Sequence, residues 1–366
     1  MALPGKATFC LLLLLSCSRM AAQEASDLIL ATRRAGVVEF ISPATLKTVA
    51  RLHFDLPAGS AGLGGASASA DGSVLYVEGP IPSSPNGCCV LYAVDLATLQ
   101  TKQVASIPLS RSRESFLVFS DGLMHPPGAL AASGAVRTLA GKRLYLSPDG
   151  RWLFGLRTYR APAIDVYDYA QGGIVRQLTL SGLEGDWWMS GIWVGERFYL
   201  YANKYSEGYA PDRLWTVPAE SNQLGQGVTV VPFGQVPGCS APSSKEIVAA
   251  GVDLFVYETF GHKLDRRPRC QGQVPGGAWT VDPTTGQLLR QIAPDLHFST
   301  LIPDRDGSVL YGLIQGPNRQ DPTELDRIDP RDGQVLQSRA LDPDFWRIVI
   351  APLRLVPAGD LRSVLH

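Results

Sequence analysis

One short pattern recurs along the chain and constrains the fold more than any other feature. Ala70-Asp71-Gly72-Ser73-Val74-Leu75-Tyr76-Val77 is an Asp-Gly turn running into an apolar strand. Pro148-Asp149-Gly150-Arg151-Trp152-Leu153-Phe154 and Asp306-Gly307-Ser308-Val309-Leu310-Tyr311 repeat it. Asp-Gly between apolar runs marks a tight hairpin, because glycine adopts positive φ without a Cβ penalty. A second element follows: a strand, an acidic turn and another strand. It is carried by Leu91–Thr98, Ile164–Asp168, Trp279–Gln287 and Arg327–Gln334, with Phe40–Thr45 as a diverged copy. The anchors of these turns are Ser42, Asp95, Asp168, Asp282 and Asp329. A side-chain oxygen there accepts backbone N–H groups, and the prolines at 43, 283 and 330 preset φ for the next position.

Each turn leads into a third strand, and the whole unit recurs about every 50 residues, the period of a β-propeller blade of about four short strands. Clear units occupy 28–56, 66–109, 144–180, 190–233, 246–292 and 298–341. Residues 110–143 start like another unit at Phe116–Gly122. The expected fold is therefore an all-β propeller with four-stranded antiparallel blades, read as seven-bladed with six as the alternative. The first unit lacks a leading hairpin. Trp346–Val356 reads as a strand pair completing it, so that N- and C-terminal segments close the ring and remove open sheet edges.

Composition agrees with many short segments between turns. The 366 residues include 37 Gly and 27 Pro, with no period that would suggest collagen. Lys and Arg number 33 against 34 Asp and Glu, for a net charge of -1. That balance argues against nucleic acid as a partner. The N-terminus reads as an export signal over 1–22: Lys6, then an apolar run from Phe9 to Leu15 too short to span a bilayer. Leu14-Leu15-Ser16-Cys17 resembles a bacterial lipobox, which makes Cys17 a lipidation candidate and the only membrane attachment considered; cleavage after Ala22 would release a soluble form. The expected location is the bacterial periplasm or cell envelope, or the medium. The expected domains are the signal, a single propeller over 27–358 and a tail over 359–366.

Export places the remaining cysteines in an oxidising compartment. Cys88, Cys89, Cys239 and Cys270 allow three pairings, which sequence does not decide; Cys239 and Cys270 flank one strand-rich segment and are the preferred pair. No cysteine or histidine spacing suits zinc, so no metal and no cofactor are expected.

The pattern SxDGSxLYV … VxDxxT … VxxIxL, carried by Ala70–Leu109, Ser147–Leu180 and Ile302–Leu341, resembles the bacterial YVTN-type propeller family. The broader group with this grammar includes the heavy or β subunits of quinoprotein amine dehydrogenases. That resemblance implies a periplasmic propeller that carries no redox cofactor and supports a small catalytic subunit.

Candidate functional residues lie where the repeat is interrupted. Trp187, Trp188 and Trp193 form the densest aromatic stretch, readable as a ligand platform or as packing between blades. His262, Arg266 and Arg267 belong to a basic loop suited to an anionic ligand or an acidic protein patch. His125 lies in a proline-rich loop, and Arg157 and Tyr159 follow a strand. No nucleophile, P-loop or dinucleotide motif is present. The function expected is a binding or scaffold module for a protein partner or small ligand. A supporting subunit of an amine dehydrogenase-like oxidoreductase is the alternative, and a propeller hydrolase or lactonase the second.

Overall fold

A computed structural model of the chain describes residues 26–33, 35–56, 62–69, 71–81, 84–106, 143–157, 162–168, 173–183, 187–204, 211–222, 224–225, 227–231, 244–259, 276–315, 322–342, 344–353 and 359–363. Strands β1 (Ser26–Arg33), β2 (Val37–Ile41) and β3 (Thr48–Phe54) begin the first blade. Blade 2 is β4 (Ala66–Ala68), β5 (Val74–Ile81), β6 (Ser84–Asp95) and β7 (Thr101–Ser106). Blade 3 is β8 (Arg143–Leu146), β9 (Trp152–Arg157), β10 (Ala163–Asp168) and β11 (Gly173–Thr179). Blade 4 is β12 (Trp187–Val194), β13 (Arg197–Lys204), β14 (Arg213–Pro218) and β15 (Val228–Thr229). Blade 5 is β16 (Ser244–Ala250), β17 (Asp253–Thr259), β18 (Ala278–Val281) and β19 (Leu288–Ile292). Blade 6 is β20 (Phe298–Pro303), β21 (Leu310–Gln315), β22 (Pro322–Ile328) and β23 (Val335–Ala340).

Two strands from the C-terminus complete the first sheet. Strand β24 (Phe345–Leu353) pairs antiparallel with β1, and β25 (Gly359–Ser363) pairs parallel with β3. The sheet order is β24-β1-β2-β3-β25. Where a strand pair was expected over Trp346–Val356, one continuous strand forms, and a further strand arises within the segment expected to be a tail.

Among the described residues the fold is thus an all-β propeller of six small blades, antiparallel apart from the added β25. The expectation of seven is corrected to the six-bladed alternative. The 110–143 segment carried one strand-and-turn signal without the acidic turn and third strand of the other units, and its residues 110–142 lie outside the described residues.

The turns form as their chemistry requires. Gly72, Gly150 and Gly307 have φ of 68°, 71° and 73°. The preceding Asp71, Asp149 and Asp306 carboxylates accept the N–H two residues on, at 3.2, 3.0 and 2.8 Å. In the acidic turns, Asp95 accepts the Thr98 N–H, Asp282 that of Thr284 and Asp329 that of Arg331, each at 2.8 Å. These bonds depress the carboxyl pKa values, with Asp329, gripped first by the Arg331 side chain, at about 2.

Packing is organised between sheets. The second strands are buried on both faces: β9 from Trp152 to Leu156, β17 from Leu254 to Glu258, and β21 throughout. The outer β23 alternates half-buried and exposed residues. One apolar cluster joins blades 1 and 2 through Leu30, Leu52, Leu75 and Val94. Others join blade 3 to 4, 4 to 5, 5 to 6 and 6 to 1. Outer strands also grip the next blade's turn: the Arg176 guanidinium bonds the Ala219 carbonyl, Arg290 that of Pro330 (3.2 Å), and Gln337 that of Thr45 (2.6 Å).

The tie between blades 6 and 1 is ionic as well. Glu39 on β2 is fully buried. Its carboxylate accepts from Arg51 (3.0 Å), Arg339 of blade 6 (2.8 Å) and the Thr48 hydroxyl (3.1 Å), with Arg33 at 3.5 Å. Burial alone raises the Glu39 pKa, but hydrogen bonds from Arg51 and Arg339, and then their charges, outweigh it and hold the carboxyl below its ordinary value.

A folded pKa below the unfolded one contributes stability that is full above the ordinary value and lost as pH falls through the depressed one. Glu39→Gln should cost about 2–4 kcal/mol at pH 7 by urea unfolding, since it removes the acceptor from a buried ionic cluster. The difference from the parent should shrink as pH drops below about 4.

Candidate functional site

Successive strands within each blade run antiparallel. The connection between second and third strands therefore emerges at the end of the sheet where the first strand begins. Connections 205–212, 230–243 and 260–277 of blades 4 and 5 all leave from this end, as does 107–142 between blades 2 and 3. The opposite end carries the tight turns, such as 195–196 and 251–252.

At the end from which the longer connections depart, the wedge between blades 4 and 5 changes character. Elsewhere it is filled by Leu214, Val230, Ile247, Leu254 and Val256. At the loop-bearing end it holds Tyr201, Asn203, Asp212, Lys245 and Glu258, with Ser190 one strand further in, and each is almost wholly buried. Strand periodicity brings them together. Tyr201 and Asn203 alternate along β13, and Lys245 continues the face of Ile247 and Ala249 on β16, where it pairs with Glu258 of β17.

The Lys245 ammonium donates to Asp212 Oδ2 at 2.7 Å, and the Tyr201 hydroxyl donates to the same oxygen at 2.5 Å. Asn203 Oδ1 accepts the Lys245 backbone N–H (3.1 Å), and Ser190 Oγ accepts that of Ile247 (2.9 Å). Two side chains of blade 4 thereby replace strand partners on the free edge of β16. Burial pushes the Tyr201 pKa well up, and the charge and hydrogen bond of Asp212 and then the charge of Glu258 push it further. Tyr201 therefore stays a hydrogen-bond donor. Burying a lysine and two carboxylates in a β wedge is costly unless they are paired, and such clusters concentrate at functional sites. Chemically, this one fixes the roots of three loops in place.

The aromatic stretch divides between the two faces of β12. Trp187 and Trp193 are buried towards blade 3 with Met189, whereas Trp188 is half-buried on the opposite face. The Trp193 ring lies 4.8 Å from Phe154 and 5.2 Å from Phe198. A Cβ on Gly191 would sit 2.1 Å from the Phe198 ring, so only glycine admits this cluster. Arg157 is half-buried at the loop-bearing end of β9. His125, Tyr159, His262, Arg266, Arg267, Cys17, Cys239 and Cys270 lie outside the described residues; the basic loop connects β17 to β18 and so departs beside Glu258. Among the described residues, no group of three or more His, Cys, Asp or Glu is placed to hold a metal.

None of the buried cluster was among the candidate residues read from the sequence, although Asn203 opens a polar stretch, Asn203-Lys204-Tyr205, after an apolar run. Its remaining members carried a usable signal: Lys245 and Glu258 interrupt the apolar alternation of Ser244–Ala250 and Asp253–Thr259.

No family model matches the chain, and no curated protein does. Among solved structures, hydrazine synthase of Kuenenia stuttgartiensis aligns over 88% of this chain and 82% of its own at 15% identity, with a TM-score of 0.43.

Lys245→Met should lose about 3–5 kcal/mol, because it strands the buried Asp212 charge. The double variant Lys245→Met/Asp212→Asn should in total cost far less than the sum of the two single substitutions. Urea unfolding of the four proteins measures the coupling. Gly191→Ala should lower stability by about 1–3 kcal/mol through overpacking, read as a lower Tm.

Proposed function

We propose that this chain is an exported propeller, of the YVTN-type repeat group, that serves as a binding or scaffold module for a protein partner or small ligand. The observation that carries this reading is the asymmetry of the blades. One end holds the shorter turns, whose carboxylates are engaged by donors of the same turn. At the other end the longer connections depart from strands that are joined by the hydrogen-bonded pair Asp212 and Lys245. A stiff scaffold that varies its loops at one end is the usual way a repeat fold presents a binding surface.

Within this reading the basic loop 260–277 meets an acidic patch or anionic group, and Cys17 is either an acylated anchor or removed with the signal. Closure of the ring, which this reading expects, is supported on one side by the β1–β24 pairing. The chain acts without a cofactor of its own and performs no turnover alone.

The experiment is an affinity capture from the producing cell's envelope fraction, with two variants compared. Arg266→Glu/Arg267→Glu alters the loop-bearing end, and Val252→Glu alters a residue 91% exposed at the turn end. The first should reduce partner recovery at least tenfold and the second should leave it unchanged. The reverse pattern, or turnover of a substrate by the purified chain, would contradict the proposal.

A further inference from the structure

Blades 1, 3 and 6 carry a buried carboxylate at the same place. Glu39, Asp165 and Asp326 each precede their acidic-turn anchor, Ser42, Asp168 or Asp329, by one Glu-x-x-Ser or Asp-x-x-Asp step. They pair with Ala31, Gly155 and Gly312 on the strand before, and with Arg51, Gln177 and Ser338 on the outer strand. All are almost wholly buried. In blade 1, Glu39 collects Arg33, Thr48 and Arg51, and Arg339 from blade 6. In blade 3, the Gln177 amide donates to Asp165 Oδ1 at 2.5 Å.

Around Asp326 most of these donors are replaced. The register puts Ile314 where blade 1 has Arg33, Val335 where it has Thr48, and Ser338 where it has Arg51. Across the wedge, Ile292 of blade 5 holds the place that Arg339 holds in blade 6. Ile292, Ile314 and Ile328 belong to the apolar cluster joining blades 5 and 6. The Ser338 hydroxyl bonds to the Asp326 carboxyl, whose Oδ1 meets no donor among the described residues. A Cβ on Gly312, the strand partner of Asp326, would meet the Phe298 ring at 2.8 Å, so an aromatic ring closes this side as well.

Strand alternation identifies the ionisable groups on the two faces of this wedge. Blade 5 presents Glu246 on β16, Asp253 and Tyr257 on β17, and Arg290 on β19, and blade 6 presents Glu324 beside Asp326 on β22. The described residues of β18, β20, β21 and β23 add none on this side, and His297 is half-buried just before β20. Arg290 is engaged by Asp253 (3.5 Å) and the Pro330 carbonyl (3.2 Å), and the Tyr257 hydroxyl accepts the Leu301 N–H (3.1 Å). Burial pushes the Asp326 carboxyl up, the Ser338 hydroxyl pulls it down by less, and the Glu324 charge pushes it further, so it stands above its ordinary value.

We infer that the wedge between blades 5 and 6 is a proton-operated latch: it packs tightly while Asp326 holds a proton, and loosens when that proton leaves and a carboxylate charge is stranded among isoleucines. An acid raised on folding costs stability above its folded value, and the cost is relieved as pH falls through that value. The wedge between blades 6 and 1 behaves in reverse, because Glu39 is held below its ordinary value. Acidification therefore tightens the grip of blade 6 on blade 5 and weakens its grip on blade 1.

The test compares the full chain with Asp326→Asn, a permanent stand-in for the protonated form, and with Ser338→Ala, which removes a donor at an exposed position. Hydrogen–deuterium exchange of β19 and β22 is followed from about pH 7 to about pH 4, each variant against the parent at the same pH so that the intrinsic pH dependence cancels. At pH 7 these strands should be severalfold better protected in Asp326→Asn than in the parent, and the ratio should fall towards one as the pH approaches 4. Ser338→Ala should be less protected than the parent at pH 7. In the aspartate-carbon-labelled chain, the carboxyl signal that Ser338→Ala moves should titrate above the ordinary value of about 3.9, and higher still in that variant. Lower protection in Asp326→Asn than in the parent at pH 7, a ratio that does not change with pH, or an Asp326 signal titrating at or below the ordinary aspartate value would each overturn the inference.

Discussion

The structure depends on one requirement: apolar side chains cover both faces of every sheet, so each sheet needs a neighbour on each side. Strand β21 is buried throughout, and β9 and β17 are buried over five consecutive residues, on both faces in each case. An isolated four-stranded sheet with two greasy faces is not viable in water, and a radial array is a solution that leaves only outer edges exposed. The same requirement explains the completion of blade 1. Strand β1 is itself a second strand, with Ile29, Leu30 and Ala31 fully buried, and β24 supplies the missing inner neighbour.

Against that background, the buried charges stand out by where they fall. Glu39 lies where blade 6 meets blade 1 and gathers guanidinium groups from both. Lys245 and Asp212 lie where blades 4 and 5 meet, at the end from which the longer loops depart. Both clusters make specific hydrogen bonds across a wedge that is otherwise held by non-directional packing. That fixes the relative register of neighbouring blades, which greasy contacts alone leave free to slide. In blades 4 and 5 this rigidity is placed at the roots of the loops that the proposed function employs.

The repeat was legible because its turns are chemically demanding. An Asp before a Gly at positive φ, and a carboxylate that must accept N–H groups two and three residues on, restrict residue choice enough to show at Asp71, Asp149, Asp282 and Asp329. Blades 4 and 5 make the corresponding inner hairpin with Gly195 and Gly251, at φ of 58° and 61°, but without the aspartate, so only the glycine marks it. Phe116–Gly122 offered the converse case, one turn signal without its companions. The cluster around Lys245 was hidden for another reason. Its members come from β12, β13, β16, β17 and the residue before β14, and only the pairing of sheets brings them together. The aromatic stretch at Trp187–Trp193 shows the same limit: a dense run in sequence is split between two faces by the strand pleat.

Hydrogen–deuterium exchange across all six blades tests the two-faced wedge most directly. The account predicts that the slowest amides lie in β1, β5, β9, β13, β17 and β21 alike, with β1 as protected as β21 because β24 covers it. Fast exchange in β1, with protection confined to blades 3 to 6, would show that blade 1 is not held between its neighbours and would contradict the account.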